Sequence, residues 1–169
     1  RSTTGNMIML HTALDGSVDY MKWNDTDSNG NTSYSLTSST IPCFESSSQT
    51  MVAYVFAEVE GFSKIGSYSG NGSTSGPFIN TGFRPAWIMI KRTDSNLYYW
   101  AIVDDTRDPI NDHSKGIVYA NADSVEATDN ILDNVSNGFR LNSTAAMVNN
   151  SSGTYVYMAF AEFPFKYAN

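Results

Sequence analysis

The best candidate binding surface in the sequence is a run of three aromatic residues near the middle of the chain. Tyr98, Tyr99 and Trp100 are consecutive, and in a strand Tyr98 and Trp100 would share one face while Tyr99 takes the other. Exposed aromatic rings stack on the faces of sugars and bury area at low entropy cost. The competing interpretation covers both faces, one with the core and the other with a neighbouring subunit.

A charged loop follows at residues 104–108 (DDTRD). An internal ion pair between an aspartate and the arginine, which fixes the shape of the loop, is the default interpretation. A polar loop that contacts sugar hydroxyls is the alternative. The candidate ligand-binding residues are therefore Tyr98, Trp100, Asp104, Asp105 and Arg107.

A pair of carboxylates could support glycan cleavage. Glu58 and Glu60 lie two residues apart and would face the same side of a strand. Two carboxylates roughly 5–9 Å apart perform glycoside hydrolysis. A similar segment later in the chain keeps Glu162 but has Pro164 where Glu60 would be. We therefore expect Glu58 and Glu162 to end a strand or to pair with a nearby Lys or Arg, and we expect no catalytic residues.

A possible calcium loop begins at Asp25. Asp25, Asp27 and Asn29 alternate along the chain before Gly30, which resembles the start of a calcium-binding loop. The bidentate acid expected at position twelve is absent, because Leu36 stands there. A turn rich in Asp and Asn explains the same residues without a metal, and the sequence leaves calcium open.

The histidines and the cysteine give no second site. His11 and His113 have no Cys, His or Glu at a metal-ligand spacing, so we expect no metal centre and no cofactor. Cys43 is the only cysteine, and its apolar neighbours indicate a buried thiol.

The composition excludes several classes of partner. The net charge is −7, and no basic stripe exists to neutralise phosphate, so nucleic acid and anionic membranes are disfavoured. No apolar run approaches the ~20 residues that a membrane-spanning helix needs. Ser, Thr, Asn and Gly are abundant while Lys, Arg and Glu are sparse, which is typical of a β protein with polar loops.

One segment of the chain recurs about a hundred residues later. Residues 50–58 read TMVAYVFAE and residues 154–162 read TYVYMAFAE, with five positions in register. Such self-similarity indicates a duplicated unit. We predict that residues 1–60 are the C-terminal half of a preceding repeat and that residues 61–169 are a complete β-sandwich repeat. Half a unit cannot bury its own sheet, so the N-terminal half should pack against the second unit or against another chain.

The hydrophobic pattern predicts short strands separated by turns. Residues 50–59 and 154–163 are continuous apolar runs, as expected for strands covered on both faces. Residues 86–92 and 97–103 are predicted to pair as a hairpin, and residues 123–134 could be a loop or a helical turn. Further strands are expected at residues 7–11, 20–23, 116–120 and 139–141. The predicted fold is an all-β antiparallel sandwich or jelly roll of lectin-like type.

Several motifs resemble a repeat found in structural proteins of marine bacteriophages. The most specific is TGFRPAWIMIKRTD at residues 81–94. Others are FAEVEGFSK at residues 56–64, GSYSGNGS at 66–73 and SNGFRL at 136–141. The resemblance covers most of residues 50–166.

The resemblance implies a virion protein, tail-fibre-like or carrying a lectin-like jelly-roll module, on the surface of an extracellular particle. The leading expectation is a non-enzymatic structural module that contacts host-surface polysaccharide through many weak sites. A decoration or cement protein with a purely architectural role is the first alternative, and a glycan-degrading enzyme is the second. Expected partners are other virion proteins and copies of the chain itself, with a trimer expected by analogy with fibres.

Overall fold

The computed structural model describes residues 6–41, 52–107 and 116–163. Within these ranges the chain forms eleven strands and one short helix. The strands are β1 (Ile8–His11), β2 (Asp19–Lys22), β3 (Gly30–Asn31), β4 (Ser63–Ser69), β5 (Phe78–Asn80), β6 (Pro85–Arg92), β7 (Ala101–Asp104), β8 (Val118–Tyr119), β9 (Leu132–Val135), β10 (Gly138–Leu141) and β11 (Thr154–Ala161), and the helix is α1 (Ala146–Asn149).

The strands form three sheets, and all strand pairs within these sheets are antiparallel. The central sheet has the order β4-β11-β6-β7-β8. The outer sheet has the order β5-β10-β9, and the N-terminal sheet has the order β1-β2-β3. The all-β antiparallel sandwich expected from the sequence is thus confirmed; the jelly-roll and lectin-like details stay predictions.

The main core lies between the central sheet and the outer sheet. Alternate residues of each central strand face it, because side chains on a strand alternate between the two faces. Ile88 and Ile90 of β6 and Tyr155 and Tyr157 of β11 pack there against Phe139 of β10. Each buries an apolar side chain, which stabilises the fold by about 1.5–3 kcal/mol.

A second core covers the opposite face of the central sheet. Met89 of β6 and Val156 of β11 pack against Met21 of the N-terminal sheet, with Trp100 beside them. Hydrogen bonds also tie the two parts together: Asn29 N–H donates to the Thr93 carbonyl at 2.7 Å. The N-terminal residues therefore pack on the central sheet as a third layer.

Most predicted strands are present. The predicted hairpin exists as β6 and β7, and the runs at residues 7–11, 20–23, 116–120, 139–141 and 154–163 all contain strands. For residues 123–134 the sequence allows a loop or a helical turn, whereas in the structure the last three of these residues begin β9.

Two predicted strands need correction. Residues 52–58 belong to no strand and are exposed, whereas residues 50 and 51 lie outside the described residues. The predicted strand at residues 97–103 begins only at Ala101, because the chain at residues 93–100 forms the connection from β6.

The sequence around β4 is rich in Gly and Ser and predicts turns, so this strand was not predicted. Gly66 lies inside this strand because the Tyr157 ring packs over it, and a Cβ atom there would come within 2.9 Å of the Tyr157 hydroxyl. In the described part of the chain, no helix has the length and apolar character needed to cross a membrane.

Candidate functional site

The structure places Trp100 in the core, which corrects its assignment to a ligand-binding surface. Its side chain is 1% exposed and stacks on Trp23 with ring centroids 5.3 Å apart. The indole N–H donates to the Lys22 carbonyl at 3.1 Å, as a buried Trp requires. The ring fixes the N-terminal sheet to the central sheet and is closed to any sugar.

Tyr98 and Tyr99 stay near the surface. Tyr98 is half-buried, and the Arg92 guanidinium lies over its ring, 5.1 Å from the centroid. The same guanidinium donates to Asp94 at 2.6 Å and holds the pKa of that carboxyl below its usual range. Tyr99 is exposed beside Tyr119, with centroids 5.3 Å apart.

The charged loop after β7 is internally paired. Arg107 forms an ion pair with Asp104 at 2.8 Å, and its backbone N–H donates to the same carboxylate at 3.1 Å. Asp105 faces Arg84 at 3.5 Å, and Arg84 also pairs with Glu162 at 2.9 Å. The prediction of an internal Asp–Arg ion pair is confirmed.

The five predicted binding residues do not form one site. Asp104 lies opposite Trp87, whereas Tyr98 lies beside Arg92 at the other end of β6. Five residues of strand separate Trp87 from Arg92, which is about 17 Å. Tyr98 and the charged loop are therefore at opposite ends of the hairpin.

The possible calcium loop is held by lysines. The Lys91 ammonium is buried and donates to the carbonyls of Thr26 and Arg92 at 3.1 and 3.0 Å. The Lys22 ammonium pairs with Asp27. Two lysine amines thus lie at this loop, one on the Thr26 carbonyl and one on the Asp27 carboxylate, which speaks against calcium here. Burial lowers the pKa of Lys91 to about 8, and the nearby Asp27 and Asp25 partly offset this effect.

The remaining predicted ligand of that loop belongs to a buried polar cluster. Asn29 Oδ1 lies 3.0 Å from His11 Nε2, and His11 Nδ1 accepts a hydrogen bond from Ala13 N–H at 3.4 Å. A ring nitrogen that accepts must be unprotonated, so His11 is neutral with its proton on Nε2. Burial lowers the pKa of His11, in agreement with this state. His113 and Cys43 lie outside the described residues.

The two equivalent glutamates both pair with cations, as expected. Glu58 lies 2.8 Å from the Lys64 ammonium and accepts the Ile65 N–H at 3.2 Å. Glu162 pairs with Arg84. The dyad hypothesis placed Glu58 and Glu60 on the same face of a strand, but residues 58–60 are not part of a strand and this geometry is absent.

The most unusual surface feature is the segment at residues 52–58, which we call the exposed strip. Val52, Tyr54, Val55 and Phe56 are 77%, 83%, 71% and 55% exposed. Among the described residues, no backbone hydrogen bond joins residues 52–56 to any strand. Contiguous exposed apolar residues of this kind mark interaction sites on soluble proteins.

One end of the strip is anchored on an aromatic cluster. The Phe56 ring meets Phe160 of β11 edge to face, with centroids 6.1 Å apart. Phe62 and Trp87 pack on the same Phe160 ring at 5.8 and 5.6 Å. The cluster joins the strip to the central sheet and leaves the preceding residues projecting into solvent.

The apolar run of the strip predicts a buried strand, although the sequence also contains a signal against this. In β11, Tyr155 and Tyr157 fill the main core. The first copy has Met51 and Ala53 at these positions, so it lacks the large side chains on which the buried copy depends.

A polar groove of about 640 Å³ lies where the N-terminal sheet meets the central sheet. Its walls carry hydroxyl and carboxylate groups from Ser67, Ser69, Thr93, Thr154, Asp15 and Asp94. Asp94 is bound by Arg92, and Asp15 accepts hydrogen bonds from Ser17 N–H and Oγ at 2.8 and 2.6 Å. The hydroxyl-rich lining suits a polar ligand. Within the described residues no group of acidic, His or Cys side chains is arranged to hold a metal ion.

Comparison with known proteins places the chain in a family. No curated protein and no solved structure matches it. A family model described as "Domain of unknown function (DUF7483)" matches residues 1–164, which include the N-terminal sheet, the exposed strip and the central sheet. The chain belongs to this DUF7483 family.

Proposed function

We propose that this chain is a non-enzymatic structural module of a bacteriophage particle, which acts by contacting other proteins. The motif at residues 81–94, which resembles phage structural repeats, forms β6 and the turn after it, at the centre of the fold. The repeated segment indicates a modular architecture. Both features suit a protein that is assembled from many copies on a virion surface.

The exposed strip is the observation that carries this proposal. Four of the five side chains at residues 52–56 are large, apolar and exposed, and a similar sequence elsewhere in the chain forms a strand covered on both faces. A segment of this kind has a favourable free energy of burial against another protein surface. This favours the architectural role over the adhesive role that rested on Tyr98 and Trp100, because Trp100 is closed to solvent.

The proposal is tested on the source particle. Virions are purified on a density gradient, their proteins are identified by mass spectrometry, and antibodies against the recombinant chain are used for gold labelling in electron microscopy. We expect the chain in the particle fraction, with labels at a regular surface position. Its presence only in the soluble fraction of infected cells would contradict a structural role.

Glycan contact is a second candidate, because the polar groove offers hydroxyl and carboxylate partners. Asp94 in its wall is bound by Arg92, whose guanidinium lies over the Tyr98 ring. A glycan array with the wild-type chain and with Tyr98→Ala and Asp15→Asn variants tests it. Binding that is lost in a variant supports glycan contact, and unchanged binding or none favours the architectural role alone.

A further inference from the structure

We propose that the exposed strip is an intermolecular β-strand that pairs with the outer edge of β4 in a second copy of this chain. The inference rests on the architectural role proposed above and specifies the partner as a second copy of the chain. The described residues offer both halves of the contact: an apolar segment that pairs with none of the described strands, and a sheet edge whose backbone groups no described strand takes.

The sequence of the strip is one that pairs with β4. In β11 the same pattern of Thr, Val, Phe, Ala and Glu runs antiparallel to β4 over all seven residues from Ser63 to Ser69. The strip carries this pattern a second time. A strand of that sequence on the other side of β4 would place β4 between two similar neighbours.

Within the described part of the chain, no strand pairs with the outer edge of β4. Ser63 N–H donates to the Val59 carbonyl and Ile65 N–H donates to Glu58, so odd-numbered residues of β4 face away from β11. Gly70 N–H, an even position, donates to the Gly153 carbonyl on the β11 side. By this alternation the N–H and C=O groups of Ser67 and Ser69 point outward. Such an edge is a template for strand addition.

The register of the contact is already set within one chain. Val59 and Ser63 exchange two backbone hydrogen bonds and begin an antiparallel ladder at the outer edge. Its continuation would place Ala57 opposite Ile65 and Val55 opposite Ser67.

Within one copy this ladder stops after a single pair. Ser63 Oγ donates to the Ala57 carbonyl at 2.7 Å, the Glu58 carboxylate takes the Ile65 N–H, and the Phe56 ring packs on Phe160. These contacts turn the strip away from its own β4. Opening the turn at residues 60–62 would let the strip continue the ladder on a second copy, and the reciprocal contact closes a two-fold dimer.

Sedimentation velocity over a range of concentrations tests whether the strip mediates association. We expect the wild-type chain to form a dimer and the Tyr54→Lys/Val55→Lys variant to dimerise roughly tenfold more weakly or not at all. Val125→Lys is the matched control, because Val125 is 87% exposed and apolar but lies far along the chain from the strip. Equal dimerisation in all three proteins, or a wild-type chain that stays monomeric, would overturn the proposal.

Cysteine cross-linking tests the partner and the register. In a Cys43→Ser background, Val55→Cys with Ser67→Cys should give a disulfide-linked dimer on mild oxidation. The control pair, Val125→Cys with Ser67→Cys, reports random collision. A disulfide within one chain would show that the strip closes on its own β4, and no cross-link above the control would place it elsewhere. Either result contradicts the proposal, and neither depends on whether the chain is found in virus particles.

Discussion

The exposed strip and β11 share a sequence pattern but have opposite environments. β11 is the second strand of the central sheet, pairs with β4 and β6, and buries Tyr155 and Ala159 completely. The strip pairs with no strand in the described chain and exposes Val52 and Val55. The same pattern of residues therefore forms a strand only where two neighbouring strands can pair with it. The reason is that β propensity depends on how side chains pack within a sheet.

Differences between the two copies explain why β11, and not the strip, occupies the position between β4 and β6. Tyr155 donates to the Ala146 carbonyl at 2.9 Å and accepts the Asn150 N–H at 2.7 Å, and Tyr157 packs on Phe139 with centroids 5.4 Å apart. All of these contacts are on the face toward the outer sheet. The positions common to both copies, such as Val156, include those that face the N-terminal sheet. The side chains that face the outer sheet therefore determine which copy is built into the central sheet.

The largest expected effect comes from making β11 resemble the strip on that face. Tyr157→Ala copies the residue at position 53 and should destabilise the fold by roughly 3–5 kcal/mol, because it leaves a cavity in the main core. Tyr54→Ala is the matched change in the strip and should shift the free energy of unfolding by less than about 0.5 kcal/mol. Urea unfolding of both variants measures the difference, and similar losses would contradict the contrast drawn between the two copies.

The next effect concerns Lys91, which lies opposite Val156 in the pairing of β6 with β11. The strip has no such neighbouring strand among the described residues. Its pKa is about 8 in the folded chain, against 10.5 for an ordinary lysine. Between these values the unfolded chain binds more protons, so the free energy of unfolding should rise with pH. The gain is about 3 kcal/mol, because one pKa unit corresponds to about 1.4 kcal/mol.

Urea unfolding between pH 7.5 and pH 10 (roughly the window in which Lys91 titrates) checks this rise. The upper limit matters because burial raises the pKa of Tyr157 to about 12, and stability falls as the unfolded chain loses tyrosine protons above its ordinary pKa of 10. Lys91→Met is the control and should have a flatter profile. A wild-type profile that falls from pH 8 to pH 10 would contradict a Lys91 whose pKa is lowered by burial.

The smallest expected effect compares the two glutamates that end the repeated segments. Glu162 pairs with Arg84, which also faces Asp105, and Glu162→Gln should cost about 1 kcal/mol. Glu58 pairs with Lys64 on a more exposed surface, so Glu58→Gln should cost less than about 0.5 kcal/mol. Thermal unfolding at low and high salt separates these values. A larger loss for Glu58 would show that the strip is held more firmly than its exposure indicates.

The strands covered on both faces were the clearest in the sequence, and strands rich in Ser, Gly, Asp or Asn were missed. β6 and β11 stand out as continuous apolar runs because both cores touch them. β4 contains Gly66 and three serines, and β9 contains Asp133 and Asn134, so both strands look like turns. Their strand conformation comes from pairing with β11 and β10, which no local pattern reveals.

The candidate site was harder to predict because exposure depends on distant residues. Trp100 looked available for a sugar, but Trp23 and the Lys22 carbonyl, almost eighty residues earlier in the chain, cover it. The strip looked buried, but β11 occupies the position between β4 and β6 and fills the core with Tyr155 and Tyr157, which the strip lacks. In contrast, the ion pair between Asp104 and Arg107 could be predicted, since its partners are three residues apart.

Hydrogen–deuterium exchange at low and high protein concentration tests most directly whether the strip is a strand that a second copy completes. β11 should exchange slowly at both concentrations, because its backbone is paired on both sides. Residues 52–58 should exchange within seconds in the dilute sample and become protected in the concentrated one, together with Ser67 and Ser69 of β4. Fast exchange of the strip at every concentration, or protection that does not change with concentration, would contradict the account.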